Sequence, residues 1–367
     1  MLPSKAPSPQ SEWSNEDSFW DWGFEQSPTK WNHRDFDQTM WDNETRHGCK
    51  FDFRDLFEIS SVHESQVASS STYCLVTPHS IAYLPRTSLI IVSEPEHHRV
   101  GCYLVQQGLK FYSWLGYPKK CLQTRQQFNH PTSILSVSMS NFLVLQEEDH
   151  LHIFDAFGIW TQCIAGEYNG LTEGPNGEIF TLGKNSSVQP VIVKFEKQGP
   201  LYKNTGNIVI TALQEFDNWE IISKAMCLLF SKGKIYITDE GLHKLFVVEL
   251  STNKQTVSGY LGSKLGQFKH PTGMLADDVG NVLVADSGNN RLLVYTEEGK
   301  FLRVMQQLDV VRLSSPQGLA RMGDAVLAVF RGEGGEGGKG ATAVVEFKVS
   351  KDSGESVSTP DDGSDLN

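Results

Sequence analysis

Asp286 and Arg291 set a carboxylate and a guanidinium five residues apart, across Ser-Gly-Asn-Asn. Such a pair could do acid–base work. The same slots hold Asp239 and Lys244 in the stretch TDEGLHK. A pair repeated inside two similar β-rich stretches reads better as a turn-stabilising ion pair. Asn289 and Asn290 then become turn residues that tolerate left-handed φ. Histidine, which binds metals and moves protons near neutral pH, stands in Pro78-His79-Ser80 and again at His130 and His270, each directly before a proline. Lysines and an arginine cluster nearby, as Lys119, Lys120 and Arg125 in GYPKKCLQTRQQFNH and as Lys264 and Lys269 in GSKLGQFKH. No G-x-S-x-G, phosphate-binding glycine loop or H-E-x-x-H occurs. On the residues alone no catalytic group, metal or cofactor is assigned, and the chain reads as a non-enzyme.

These residues are positioned by a repeat. The stretch GQFKHPTGMLADDVGNVLVADSGNNRLLVY, from Gly266, has further copies that start near Thr77, Gln126, Asn169, Ala225 and Ser315. Equivalent anchors are Ser80, Ser133, Gly170, Met226, Gly273 and Gly318. A period of about 48 residues signals a propeller or solenoid. Each copy reads as short alternating, β-branched strands separated by Gly or Asn turns. Four such strands cannot bury both faces alone, so the units must pack on one another and close into a ring. The sixth copy ends near Ser350 without an outermost strand, and the segment 51–60, which begins FDFRDLFEI, is expected to supply it. The expected fold is an all-β, six-bladed β-propeller over residues 51–350, flanked by disordered segments 1–50 and 351–367. Deleting 51–60 should then unsettle the whole ring, whereas deleting 1–45 should not.

The pattern G-x-F-x-x-P-x-G, followed by D-x-x-G-N-V-L-V-A-D-S-x-N-N-R-L-L-V-Y-x-x-x-G, resembles the NHL repeat of six-bladed propellers. That resemblance covers residues 77–350 and is sharpest over 266–299. Tripartite-motif NHL proteins carry RING and B-box cysteines, which are lacking here: the six cysteines are scattered, with no C-x-x-C. A second similar propeller, peptidyl-α-hydroxyglycine lyase, implies zinc on histidines that follow a proline, a pattern matched by His79. The equivalent slots hold Thr132, Thr272 and Gln317, and one histidine cannot supply the three protein ligands of a catalytic zinc. His79 is therefore expected to be a polar residue near a central channel, with His130 and His270 capping the loops that lead into inner strands.

Charge and composition frame the function expected. The net charge of −12 argues against a generally nucleic-acid-binding surface. No stretch has the length and apolarity of a membrane span, and MLPSKAPSPQ does not read as a signal peptide. A cytoplasmic monomer with reduced thiols and no membrane or DNA partner is expected. Five of the eight tryptophans (Trp13, Trp20, Trp22, Trp31 and Trp41) fall among acids in the first fifty residues. Exposed aromatics of this kind anchor linear motifs on partners. The function expected is thus a non-catalytic adaptor. Its propeller face (Lys119, Lys120, Arg125, His130, Lys264, Lys269 and His270) binds a protein target, and its tryptophan-rich segment docks a second partner. The alternative is sequence-specific binding of single-stranded RNA on that face, in post-transcriptional regulation.

Overall fold

The structure is a computed structural model. It describes residues 51–349, except 55–56, 65–74, 105–109, 116–127, 138–140, 147–149, 156–159, 186, 188, 200, 211–224, 308–312 and 333–341. The two terminal segments expected to be disordered therefore lie outside the described residues.

Among the described residues there are six four-stranded antiparallel sheets. Five are each folded from one continuous stretch, with strands hydrogen-bonded in chain order. Their innermost strands are β2 (Ile81–Leu84), β6 (Pro131–Val137), β10 (Asn169–Glu173), β14 (Ala225–Ser231) and β18 (Pro271–Ala276). We number these blades 1 to 5. The last sheet is a composite: β22 (Pro316–Met322), β23 (Ala325–Phe330) and β24 (Ala343–Val349) are completed by β1 (Phe57–Glu64), from the other end of the chain. β1 runs antiparallel to β24, with Phe57 opposite Val349 and Glu64 opposite Ala343.

The fold class is thereby corrected in its finer part. What stands is an all-β propeller of five continuous blades and one composite sheet, in place of six equivalent NHL units. The closing strand is also displaced from the expected 51–60. Residues 51–53 lie under blade 5, and pairing begins at Phe57. The physical reason is the carboxylate of Asp277, in the turn between β18 and β19 (Val282–Asp286). It accepts the Phe53 N–H at 2.9 Å, the Gly280 and Asn281 N–H groups at 2.7 Å and the Asn281 side-chain amide at 2.7 Å. Asp278 takes the Phe51 N–H at 2.9 Å. Gly280, at φ 101°, supplies the backbone freedom this turn needs.

The core lies between the blades. Six buried clusters occupy the six seams between neighbouring sheets. β19 shows how period-2 geometry fills two seams at once. Val282 and Val284 pack towards blade 4, and Leu283 and Ala285 towards the composite sheet. That strand is buried on both faces and so reads as a continuous apolar run. The seam between the composite sheet and blade 1 joins Ile81, Ile90 and Val92 to Leu327, Val329 and Val344, closing the ring.

Phe51 packs edge-on to Phe53 and Phe57, which are tilted against each other, with all three centroids 5.2–6.0 Å apart, and Phe53 has no exposed surface. Removing a fully buried phenylalanine ring costs about 3–5 kcal/mol. Phe53→Ala should lower the free energy of urea unfolding by that amount in one cooperative transition. A loss below about 1 kcal/mol would show that this segment does not hold the ring shut.

Candidate functional site

The blades meet around an axial channel with a cavity of about 250 Å³, lined by all six innermost strands. Where the strands come closest every residue is small: Ser80, Ser133, Gly170, Cys227, Gly273 and Gly318. A Cβ on Gly273 would sit 2.3 Å from the Gln317 carbonyl oxygen, and one on Gly318 would sit 2.8 Å from the Ile81 nitrogen. Gly170 stands in the same relation to Leu228, with 2.6 Å to its side chain. The equivalent position in blade 4 is therefore Cys227, one residue on from the expected Met226. Its thiol is pushed up to about 11 by burial, which makes it a poor nucleophile.

Hydroxyls stitch the seams at the upper end of this channel. Thr238 Oγ1 donates to the Thr272 carbonyl at 2.5 Å, Ser287 Oγ to the Pro316 carbonyl at 2.5 Å, and Thr272 Oγ1 to the Pro316 and Gln317 carbonyls at 3.1 Å. Between blades 1 and 2 the Thr132 carbonyl takes the Ser93 hydroxyl at 3.5 Å and, much closer, an imidazole. His79 Nδ1 lies 2.6 Å from the Thr132 carbonyl oxygen. A carbonyl only accepts, so the proton sits on Nδ1 and Nε2 is left as a base. His79 lines the channel. Burial lowers its pKa most; the bond to Thr132 and the charge of Glu240 pull it up, while His130 and Arg331 lower it further. The net shift is downward, so the ring is neutral at neutral pH. Beside it, Ser80 Oγ accepts the Ile134 N–H at 3.1 Å and keeps a proton to donate.

The sequence-derived residues divide between scaffold and surface. Asp286 and Arg291 form a buried pair, with Nε–Oδ2 2.8 Å. Asp286 also takes the Lys269 N–H at 2.7 Å, and Arg291 holds the carbonyls of Ser263, Lys264 and Gln267 at 2.8–3.0 Å. Burial raises the Asp286 pKa against the pull of these donors. The pair is a structural ion pair, and beyond the turn stabilisation expected of it, it clasps the loop leading into β18. In blade 1, Arg99 bonds Glu94 at 2.7 Å, and Glu94 takes the Val76 and Thr77 N–H groups.

His130 and His270 do cap their loops, at φ 56° and 51°. Each donates its backbone N–H to a histidine of the preceding blade: His130 to His98 Nδ1 at 3.2 Å, and His270 to His243 Nδ1 at 3.1 Å. In the next seam Asn290 Oδ1 accepts the Ser315 N–H at 3.1 Å in the same way. Lys264, Lys269 and His270 come together on blade 5, with His270 3.3 Å from Glu240. His130, three seams away on blade 2, does not join them. Lys119, Lys120 and Arg125 lie outside the described residues, as do Trp13, Trp20, Trp22, Trp31 and Trp41. His79 carried its own signal, the Pro-His-Ser stretch. Without the seam geometry, nothing in the sequence showed that its Nδ1 would be pinned.

No protein-family model matches the chain, and no curated protein matches it in sequence. The NHL label therefore gives way to the coarser statement that the chain is a β-propeller. Solved structures do resemble it. The calcium-binding protein regucalcin of Agrobacterium tumefaciens has a TM-score of 0.52 at 15% identity, over 75% of this chain and 92% of its own. A gluconolactonase of Xanthomonas campestris has a TM-score of 0.52 at 10% identity, over 81% and 96%. A luciferin-regenerating enzyme has a TM-score of 0.50 at 16% identity, over 78% and 95%. At these identities the likeness is one of fold. It corrects the expectations of a non-catalytic adaptor, of an RNA-binding regulator and of a chain that is not an enzyme. Propellers of this build bear the names of enzymes, so the want of a familiar motif does not exclude catalysis. Calcium asks for six to eight oxygen ligands. Among the described residues no three His, Cys, Asp or Glu side chains are placed to hold a metal, and none lining the channel is a carboxylate. The site does not fit that ion, and no step is routed through one.

His243 accepts a hydrogen bond at Nδ1, and its pKa is lowered, first by burial and then by His270, against the pull of Glu240 and Asp286. The unfolded chain then binds the proton more readily than the fold does. Stability should be full above the ordinary histidine range, near 6.5, and fall as pH drops through it. His243→Asn copies the latch that Asn290 makes. It should keep the urea midpoint at pH 8 and flatten the decline between pH 7 and pH 5; an unchanged decline would contradict the latch.

Proposed function

We propose that the chain is a catalytic propeller that cleaves a small ester or lactone at the upper end of its channel, with His79 as the acid–base group. The observation that carries this reading is the 2.6 Å bond from His79 Nδ1 to the Thr132 carbonyl. It fixes the tautomer and the ring together, and it leaves Nε2 as a neutral base. A cavity of about 250 Å³ suits a small molecule. The names of the gluconolactonase and the luciferin-regenerating enzyme support the choice of small-molecule chemistry.

In the step proposed, Nε2 takes a proton from a water, whose oxygen bonds to the carbonyl carbon. The C–O bond to the leaving alkoxide then breaks, and the imidazolium returns its proton to that oxygen. In this reading the Ser80 hydroxyl donates to the developing oxyanion. A depressed imidazole pKa keeps the base unprotonated at neutral pH, where general-base catalysis needs it.

A panel of γ- and δ-lactones and short-chain aryl esters tests this. The expected result is turnover by the wild type that drops about 10²–10⁴-fold in His79→Gln, with the urea midpoint within the wild-type range. The rate should rise with pH through a single ionisation below the ordinary histidine value. No turnover anywhere on the panel, or turnover indifferent to His79→Gln, would contradict the reading.

A further inference from the structure

The three most exposed large apolar side chains among the described residues share one short loop. Tyr260 is 61% exposed, Leu261 61% and Leu265 66%, whereas the other large apolar groups among the described residues reach 47% at most. The loop, 259–268, joins the last strand of blade 4 to β18 of blade 5, and it is built to be stiff. Phe268 is fully buried at its base. The Gly262 N–H bonds the Phe268 carbonyl and the Phe268 N–H bonds the Tyr260 carbonyl, both at 3.0 Å. Lys264 N–H bonds Gln267 Oε1 at 2.8 Å, and Asn289 holds the Gly262 carbonyl at 2.8 Å. Arg291 holds three further carbonyls from beneath. A loop so pinned cannot fold its leucines away, and a rigid apolar knuckle in water marks a contact surface. Its exposed charged rim is basic, from Lys264 and Lys269.

The chain itself holds the complement. Residues 12–25, EWSNEDSFWDWGFE, contain five acids, no base, three tryptophans and two phenylalanines. The segment is also close enough. Phe51 is tied to Asp278, in the turn at the far end of β18, the strand whose near end follows the knuckle. A strand of that length spans about 20 Å. The 25 residues between Glu25 and Phe51 reach about 25–30 Å as a random coil and far more when extended. Tethering at that length supplies an effective concentration near the millimolar range.

We propose that loop 259–268 is the docking site for residues 12–25 of this same chain. Trp13, Trp20 and Trp22 cover Tyr260, Leu261 and Leu265, and the acids face Lys264 and Lys269. The proposal is independent of the chemistry assigned to His79.

Hydrogen–deuterium exchange on the full chain tests it, comparing the wild type with Leu261→Ser/Leu265→Ser and with Lys264→Glu. All three positions are exposed, so the ring should exchange unchanged in the variants. The wild type should show amides of 12–25 slowed at least tenfold against free-peptide rates. That protection should vanish in the leucine variant and weaken in Lys264→Glu. It should be independent of protein concentration. Free-peptide exchange in the wild type would overturn the proposal, as would protection that survives both variants. Protection that grows with concentration alongside a doubled mass in light scattering would also overturn it, and would assign the knuckle to a second copy.

Discussion

The backbone carbonyls at the start of each innermost strand are the groups on which the molecule depends. Six twisted sheets that meet edge-on around an axis bring these carbonyls into seams too narrow for bulk water. A buried carbonyl without a donor costs on the order of 1–3 kcal/mol. The chain answers with donors from the neighbouring blade: Thr238 for Thr272, Ser287 for Pro316, and Ser93 together with His79 for Thr132. Serine and threonine meet the need and do nothing else. Histidine meets the same need and leaves a second nitrogen with a lone pair. The candidate site is thus one seam of a structural series, where a histidine joins the serine hydroxyl and also carries chemistry.

The same economy runs through the upper face. A left-handed residue before each inner-strand proline must have its N–H satisfied by the previous blade. His98, His243 and Asn290 perform that task in three seams. Below, Asp277 gathers turn amides and the Phe53 N–H into one carboxylate. That is how the start of the described chain is clipped to blade 5 before β1 pairs with β24. Ring closure, seam polarity and loop shape are therefore all set by short polar side chains that satisfy backbone groups. The apolar residues fill the space between.

Much of this was legible in the sequence. Recurrence of GNVLVAD-like strands and HPT turns gave the propeller, and the recurrence of Asp286–Arg291 as Asp239–Lys244 marked that pair as scaffold. What escaped was whatever depends on distance across a seam. Met226 takes the bulged place that Thr132 takes in blade 2, so Cys227 rather than Met226 aligns with Ser133 at the narrow ring, and no pattern in the sequence announces which residue is bulged. The strand that closes the ring starts at Phe57 because Asp277 captures residues 51–53 from 224 positions away. His79 was weighed as one third of a metal site, and its role as a lone base rests on the carbonyl of Thr132, fifty-three residues along. The lysines were assigned to one binding face, yet those that are described lie on blade 5 beside an apolar knuckle. The sequence pattern had no means to place Tyr260, Leu261 and Leu265 outside.

The account turns on the protonation state of a single ring. Nitrogen-15 chemical shifts of the His79 imidazole, followed from pH 8 to pH 4 and assigned by comparison with His79→Gln, would read it directly. The account predicts a neutral ring protonated at Nδ1, with Nε2 showing the shift of a bare nitrogen and titrating below the ordinary value near 6.5. A ring that is cationic at pH 7, or neutral with its proton on Nε2, would contradict it.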